Sequence, residues 1–150
     1  MRFIYTLVFL FTICASCDIS DERKLDRDKD AIEDFLSDNS LTAEITENDL
    51  YYIIHKEGGT IMPNEFNTVR IDYNGFTLDG VKFKSTYDEG FPREENMELL
   101  SVGMQEGIKF LGSGGSATFF IPSVNAVDSL ETTLPEDEPI RIELELLDFN

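Results

Sequence analysis

The chain has 150 residues, 41% apolar and 11% aromatic, enough to build one core with accessory segments. Thirty acidic residues against 12 basic ones leave a formal charge of −18. A surface of that sign repels phosphate backbones, which argues against nucleic acid as a partner and leaves solubility, or a cationic partner, as its use.

The first 17 residues, MRFIYTLVFLFTICASC, carry Arg2, an apolar run from Phe3 to Ile13, and small residues before Cys17. The run is too short to span a bilayer, which takes about 20 residues. A basic start, a short apolar core and small residues make a secretory signal. Ala15 and Ser16 directly before Cys17 resemble the lipobox of bacterial lipoproteins, with Cys14 standing where leucine is usual. The resemblance implies cleavage before Cys17, which then carries the acyl chains. Several such chains hold a protein to a membrane where one would not. Cys14 and Cys17 also spell Cys-x-x-Cys, but they are the only two cysteines, so no second pair completes a zinc site.

Residues 18–48 are charge-dense. Leu25, Ile32, Phe35 and Leu36 fall at helical spacing among the charges, which predicts a flexible acidic tether running into one amphipathic helix from about Asp28 to Ser37. Asp26, Asp28 and Asp30 imitate the opening of a calcium loop. Ala31 and Ser37 stand where that loop needs glycine and glutamate, so a solvated helix start is the better reading.

Residues 49–150 form the predicted domain. Leu50 to Gly59 reads as a strand ending at Gly-Gly, with the single histidine, His55, as an ordinary surface or edge residue. TVRIDYNGF alternates Val69, Ile71 and Tyr73 against Arg70, Asp72 and Asn74, a half-buried strand. Asp79-Gly80 predicts a tight hairpin turn, both central positions tolerating positive φ. Gly90, Pro92 and several acids mark a loop. Met104, Ile108 and Leu111 predict a helix that Gly112 ends. ATFFIPS is a buried strand stopped by Pro122, residues 124–139 read as a long loop, and Ile140, Ile142, Leu144 and Leu146 alternate along a closing strand. The order predicts an α+β fold: an antiparallel sheet wrapped around one short helix, with an N-terminal helical extension. GSGGS follows a helix instead of opening one, so it is no phosphate cradle. The residues present suggest neither a metal site nor a cofactor.

From Leu50 to Phe149 the chain resembles the FKBP-type peptidyl-prolyl isomerases. The resemblance rests on four ordered pieces: LYYIIHKEGG, VRIDYNGFTLDGVKFKST, VGMQEGIKFLGSGGSATFFIPS and IRIELELLDF. It implies that Tyr73 and Phe83 point into a shared pocket, with Gly75 giving room near a strand bend; without it, both are as easily core aromatics. It also implies pocket roles for Leu100, Ser101, Met104, Val127 and Ile142, with Phe91 as the remaining wall. Several of these depart from the family pattern. Met104 replaces a floor tryptophan, Lys84 an aspartate, Ser101 an isoleucine, Val127 a tyrosine and Ile142 a phenylalanine. The implied pocket is aliphatic and softer, with fewer polar anchors.

The resulting expectation is a weak prolyl isomerase assisting the folding of exported proteins, monomeric, and lipid-anchored in the bacterial cell envelope. It would bind proline-containing or apolar segments, reach the membrane through Cys17 and need no cofactor. The alternative is a non-catalytic FKBP-like peptide-binding or chaperone lipoprotein.

Overall fold

A computed structural model describes residues 16–127 and 134–150, with side chains from Ser20 onward. The predicted signal segment up to residue 15 and the Cys17 side chain lie outside the described residues. No helix among the described residues is long and apolar enough to cross a membrane.

The first element is a helix, α1 (Ser16–Asp38), twice as long as the spacing of Ile32, Phe35 and Leu36 predicts. Residues 18–27 are therefore helix and not a loose tether. They hold no glycine or proline, and they are tied down: Lys24 pairs with Asp137, and the Arg27 guanidinium donates to the Asp137 carbonyl at 2.6 Å. The apolar stripe lies on the outer face of the sheet, where Ile32, Phe35 and Leu36 pack with Tyr51 and Phe120.

The strands are β1 (Glu44–Ile45), β2 (Tyr51–Lys56), β3 (Thr68–Thr77), β4 (Lys82–Ser85), β5 (Arg93–Asn96), β6 (Gly115–Ile121) and β7 (Ile140–Phe149). They form one antiparallel sheet in the order β1-β2-β6-β7-β3-β4, with β5 added beside β3. The two longest strands, β3 and β7, lie together at its centre. Tyr73 stands opposite Leu144, and Gly75 opposite Ile142. Strict alternation of buried and half-buried residues along β3 puts Val69, Ile71 and Tyr73 in the core.

The hairpin between β3 and β4 closes differently from the expectation. Gly80 has φ +92°, whereas Asp79 stays out of the positive-φ region. Thr77 accepts from the Gly80 N–H at 3.1 Å and donates its own N–H to Val81 at 2.9 Å. This is a three-residue loop with a glycine bulge, in which one left-handed residue suffices.

Three short helices complete the fold: α2 (Thr86–Glu89), α3 (Val102–Ile108) and α4 (Ser123–Ala126). A 3-10 turn at Met97–Leu99 precedes α3. The predicted helix thus ends at Ile108, before Gly112, and residues 93–96 are a strand where a loop is predicted. Helix α3 lies very close to β6. A Cβ on Gly103 would stand 2.4 Å from the Ile121 side chain, and one on Gly107 would stand 2.6 Å from the Phe119 ring. Gly107→Ala is therefore expected to lower stability by about 1–2 kcal/mol in urea unfolding. Overpacking costs roughly 1–3 kcal/mol, against a helix-propensity gain of at most about 1 kcal/mol.

Candidate functional site

The candidate site lies between the inner face of the sheet and α3. Tyr73 reaches it from β3, Phe83 from β4, Arg93 from β5, Ser101 and Met104 from the start of α3, and Ile140 and Ile142 from β7. Ala126 of α4 and Leu134 close the remaining side.

Local sequence explains why these side chains meet. A Cβ on Gly75 would lie 2.6 Å from the Phe83 ring, so only glycine lets that ring lie flat on β3. Ser85 and Thr86 then fasten β4 and α2 beside Tyr73. The Ser85 hydroxyl donates to Asn74 Oδ1 at 2.6 Å and accepts from the Asp88 N–H at 3.1 Å, capping α2. Thr86 Oγ1 accepts the Tyr73 N–H at 2.9 Å and donates to Asp72 Oδ1 at 2.7 Å. Ser101 caps α3 by accepting the Met104 N–H at 3.3 Å, which sets Met104 on the cavity floor. The NG-aromatic-DG-aromatic succession is thus one device: a glycine platform for an aromatic ring, and a bulged turn that returns the chain to it.

The cavity is nearly filled. Its free volume is about 10 Å³, at the limit for a single water and too small for a proline ring. Its lining is mostly apolar, with Tyr73, Arg93 and Ser101 as the residues that carry polar side-chain groups.

Five of the eight sequence-predicted residues share this cavity: Tyr73, Phe83, Ser101, Met104 and Ile142. The other three do not line it. Leu100 is buried in the neighbouring core. Phe91 is 63% exposed because the strand turns inward only at Arg93, and Val127 is 73% exposed just beyond α4. Lys84, at the position of the family's aspartate, pairs with Glu89 at 2.7 Å. Sequence reading missed Arg93, Ala126, Leu134 and Ile140. The alternation of β7 could have found Ile140, since it shares a face with Ile142.

The far wall is held by α1. Asp28 is fully buried, which corrects the reading of it as part of a solvated helix start. Its carboxylate accepts the Ser123 N–H at 2.8 Å and the Ser123 hydroxyl at 2.5 Å, and Arg27 donates to it at 2.8 and 3.0 Å. Hydrogen bonding to Asp28 and its charge raise the Arg27 pKa above the ordinary value. The Lys24 ammonium holds Asp137 below the usual carboxylate range, by hydrogen bonding and then by charge.

A larger groove of about 640 Å³ lies on the outer sheet face among Ile53, His55, Thr118, Phe120, Arg141 and Glu143, and shares no residue with this cavity. His55 is exposed there, its Nε2 2.8 Å from Thr118 Oγ1.

Comparison with known proteins gives one result. A family model described as FKBP-type peptidyl-prolyl cis-trans isomerase matches residues 59–147. The chain is 31% identical over 113 residues to the FKBP-type peptidyl-prolyl cis-trans isomerase FkpA of Aeromonas hydrophila, covering 70% of this chain and 42% of that protein. It is 34% identical over 97 residues to the probable FkpA of Neisseria meningitidis serogroup B, covering 63% and 36%. The chain thus spans well under half the length of these relatives. The crystal structure of FkpA from Escherichia coli superposes with a TM-score of 0.72 at 21% identity, over 89% of this chain and 64% of that one. A multi-domain immunophilin from Arabidopsis thaliana gives 0.61 at 24% identity, over 73% and 45%. At these identities the superpositions speak for the fold alone.

Proposed function

The chain belongs to the FKBP-type peptidyl-prolyl cis-trans isomerase family, and from that premise we propose that it is a weak prolyl isomerase acting on proline-containing or apolar segments of exported proteins. The observation that carries this reading is the convergence of Tyr73, Phe83, Met104 and Ile142 on one apolar cavity.

The chemistry needs no nucleophile, acid, base or cofactor. Resonance holds a peptide bond flat behind a barrier of about 18–20 kcal/mol. An X-Pro bond crosses its barrier unaided in about tens to hundreds of seconds. The twisted transition state has lost that resonance and is less polar at the amide. An apolar, water-poor cavity therefore favours it over the planar, better-solvated ground state.

The tightness of the cavity supports the expectation of weak activity. A free volume of about 10 Å³ must widen before a ring enters. The binding-competent state is then a minor one, and apparent affinity falls by its fraction. Met104, with three rotatable bonds, and half-buried Leu134 are the parts able to give way. An exchange NMR assay on an alanyl-prolyl peptide is expected to show acceleration above the uncatalysed rate. No acceleration at a protein concentration equal to the peptide's would contradict the isomerase reading.

The same tight cavity favours a second reading, in which the pocket holds apolar peptides without turnover. Binding and turnover measured on one alanyl-prolyl peptide separate the two. An isomerase is expected to show saturable amide shifts together with faster cis-trans exchange. Saturable shifts with exchange at the uncatalysed rate would favour the binding reading.

The N-terminal pattern supports an envelope location, with the chain anchored through acylated Cys17. Mass spectrometry of the membrane fraction is expected to find the acylated cysteine, and its loss in a Cys17→Ser variant would release the protein from the membrane.

A further inference from the structure

We propose that the outer face of the sheet carries a second binding site, independent of proline, which takes a polypeptide segment bearing lysine or arginine among aliphatic side chains. The proposal goes beyond the isomerase reading, since it needs neither the proline cavity nor turnover.

The site is the groove of about 640 Å³ on the sheet face opposite α3. An antiparallel sheet that leaves one face to water lines it with polar side chains. Here α1 covers part of that face, packing Ile32 and Leu36 on Tyr51 and Phe120. The part left open is mixed in character. Ile53 of β2 and Phe120 of β6 give it an apolar bed, and Leu41 and Tyr87 stand at its two sides. Leu41 is 42% exposed and Tyr87 52%, so both offer apolar surface to a ligand. Four neighbouring strands, β2, β6, β7 and β3, supply the floor. At the usual strand spacing they span about 14 Å, a width that admits one polypeptide segment with its side chains.

Charge decides what that segment carries. Glu143 and Glu145 line the groove from β7. Glu145 stands directly opposite Asp72 of β3. Side chains so placed start about 5 Å apart, and like charges there are destabilising. The cations of the neighbouring strands do not relieve the pair. Arg141 Nη2 is 3.4 Å from Glu143, and its guanidinium lies over the Phe35 and Phe76 rings, 5.8 and 4.6 Å from their centroids. Arg70 is paired with Asp148, Lys82 with Asp88 and Lys84 with Glu89. Asp72 accepts only the Thr86 hydroxyl, and Glu145 has no cation partner among the described residues. Tyr87 completes the arrangement. Burial, and then the charges of Asp72 and Glu145, raise its phenol pKa, which sets the ring beside both acids. A lysine or arginine entering there meets two carboxylates and an aromatic face, while its methylenes and its aliphatic neighbours lie on Ile53 and Leu41. The chain's formal charge of −18 attracts the same kind of segment from a distance.

The test uses the full chain and two proline-free peptides of equal length, leucine alternating with lysine in one and with glutamate in the other. In amide NMR titrations at low salt, the lysine peptide is expected to shift Ile53, Thr118 and Glu145 saturably and to leave Met104 and Ile142 in place. It should bind about fivefold or more tighter than the glutamate peptide, an advantage lost as salt screens exposed charges. Glu145→Lys should abolish that preference. Glu98→Lys changes net charge equally at an exposed position beside α3 and should keep it. Tyr87→Ala, which alters no charge, should weaken the lysine peptide several-fold. Equal affinity for the two peptides, equal weakening by Glu145→Lys and Glu98→Lys, or shifts centred on Met104 and Ile142 would each overturn the site. Prolyl turnover should be the same in Glu145→Lys as in the parent chain; a matching loss of turnover would mean that the two faces are not independent and would also overturn the proposal.

Discussion

Asp28→Ala is expected to lower the unfolding free energy by about 2–4 kcal/mol, a large share of a small domain's total of roughly 5–15 kcal/mol. The residue is on a helix outside the family-matched region, yet its carboxylate is fully buried and accepts from the backbone and hydroxyl of Ser123 and from Arg27. Alanine leaves the Ser123 N–H without its acceptor and detaches α1 from the segment that walls the cavity. Bonds to a charged acceptor contribute about 1.5–3 kcal/mol each when measured singly, and their losses overlap. Ser123→Ala removes the hydroxyl bond alone and should cost about 1 kcal/mol. A double-mutant cycle in urea should return a coupling above about 0.5 kcal/mol. Additive losses would mean that α1 is held by its apolar stripe and not by this latch.

Met104→Ala should have a comparable cost, about 2–4 kcal/mol, since truncating a buried methionine loses both transfer energy and packing. It should also raise kcat/KM for a prolyl peptide several-fold, because the closed cavity gains room for the ring and the competent state is less rare, while Phe83 and Ile142 stay in place. Met104→Leu conserves volume and should cost less than about 1.5 kcal/mol, leaving turnover within a few-fold of the parent. If Met104→Ala weakens stability but leaves turnover intact, Met104 is a core residue without a part in the site.

Much of this fold is legible in the sequence, for reasons particular to each piece. The alternation of Val69, Ile71 and Tyr73, and of Ile140 to Leu146, announces β3 and β7 because both have one face in the core. Strand β5 is not legible. Arg93-Glu94-Glu95-Asn96 has no apolar alternation, and it is a strand because it pairs with the edge of β3. The first half of α1 lacks apolar periodicity, and its anchors, Asp137 and Ser123, lie more than 90 residues away. The same division holds at the site. Tyr73, Phe83, Ser101, Met104 and Ile142 sit in the motifs that carry the family resemblance, and only the resemblance marks them as pocket residues. Arg93, Ala126 and Leu134 arrive from segments placed by tertiary contact. The tightness of the cavity is a packing property that no local pattern carries.

The central claim is that this closed hollow opens to take a proline ring. Methyl NMR during titration with an alanyl-prolyl peptide tests it most directly, with the peptide carrying alanine in place of proline as the comparison. The account predicts shifts at the Met104 and Ile142 methyls that saturate with the prolyl peptide and are absent with its alanine counterpart. Methyls unmoved by the prolyl peptide, or moved equally by both, would contradict it.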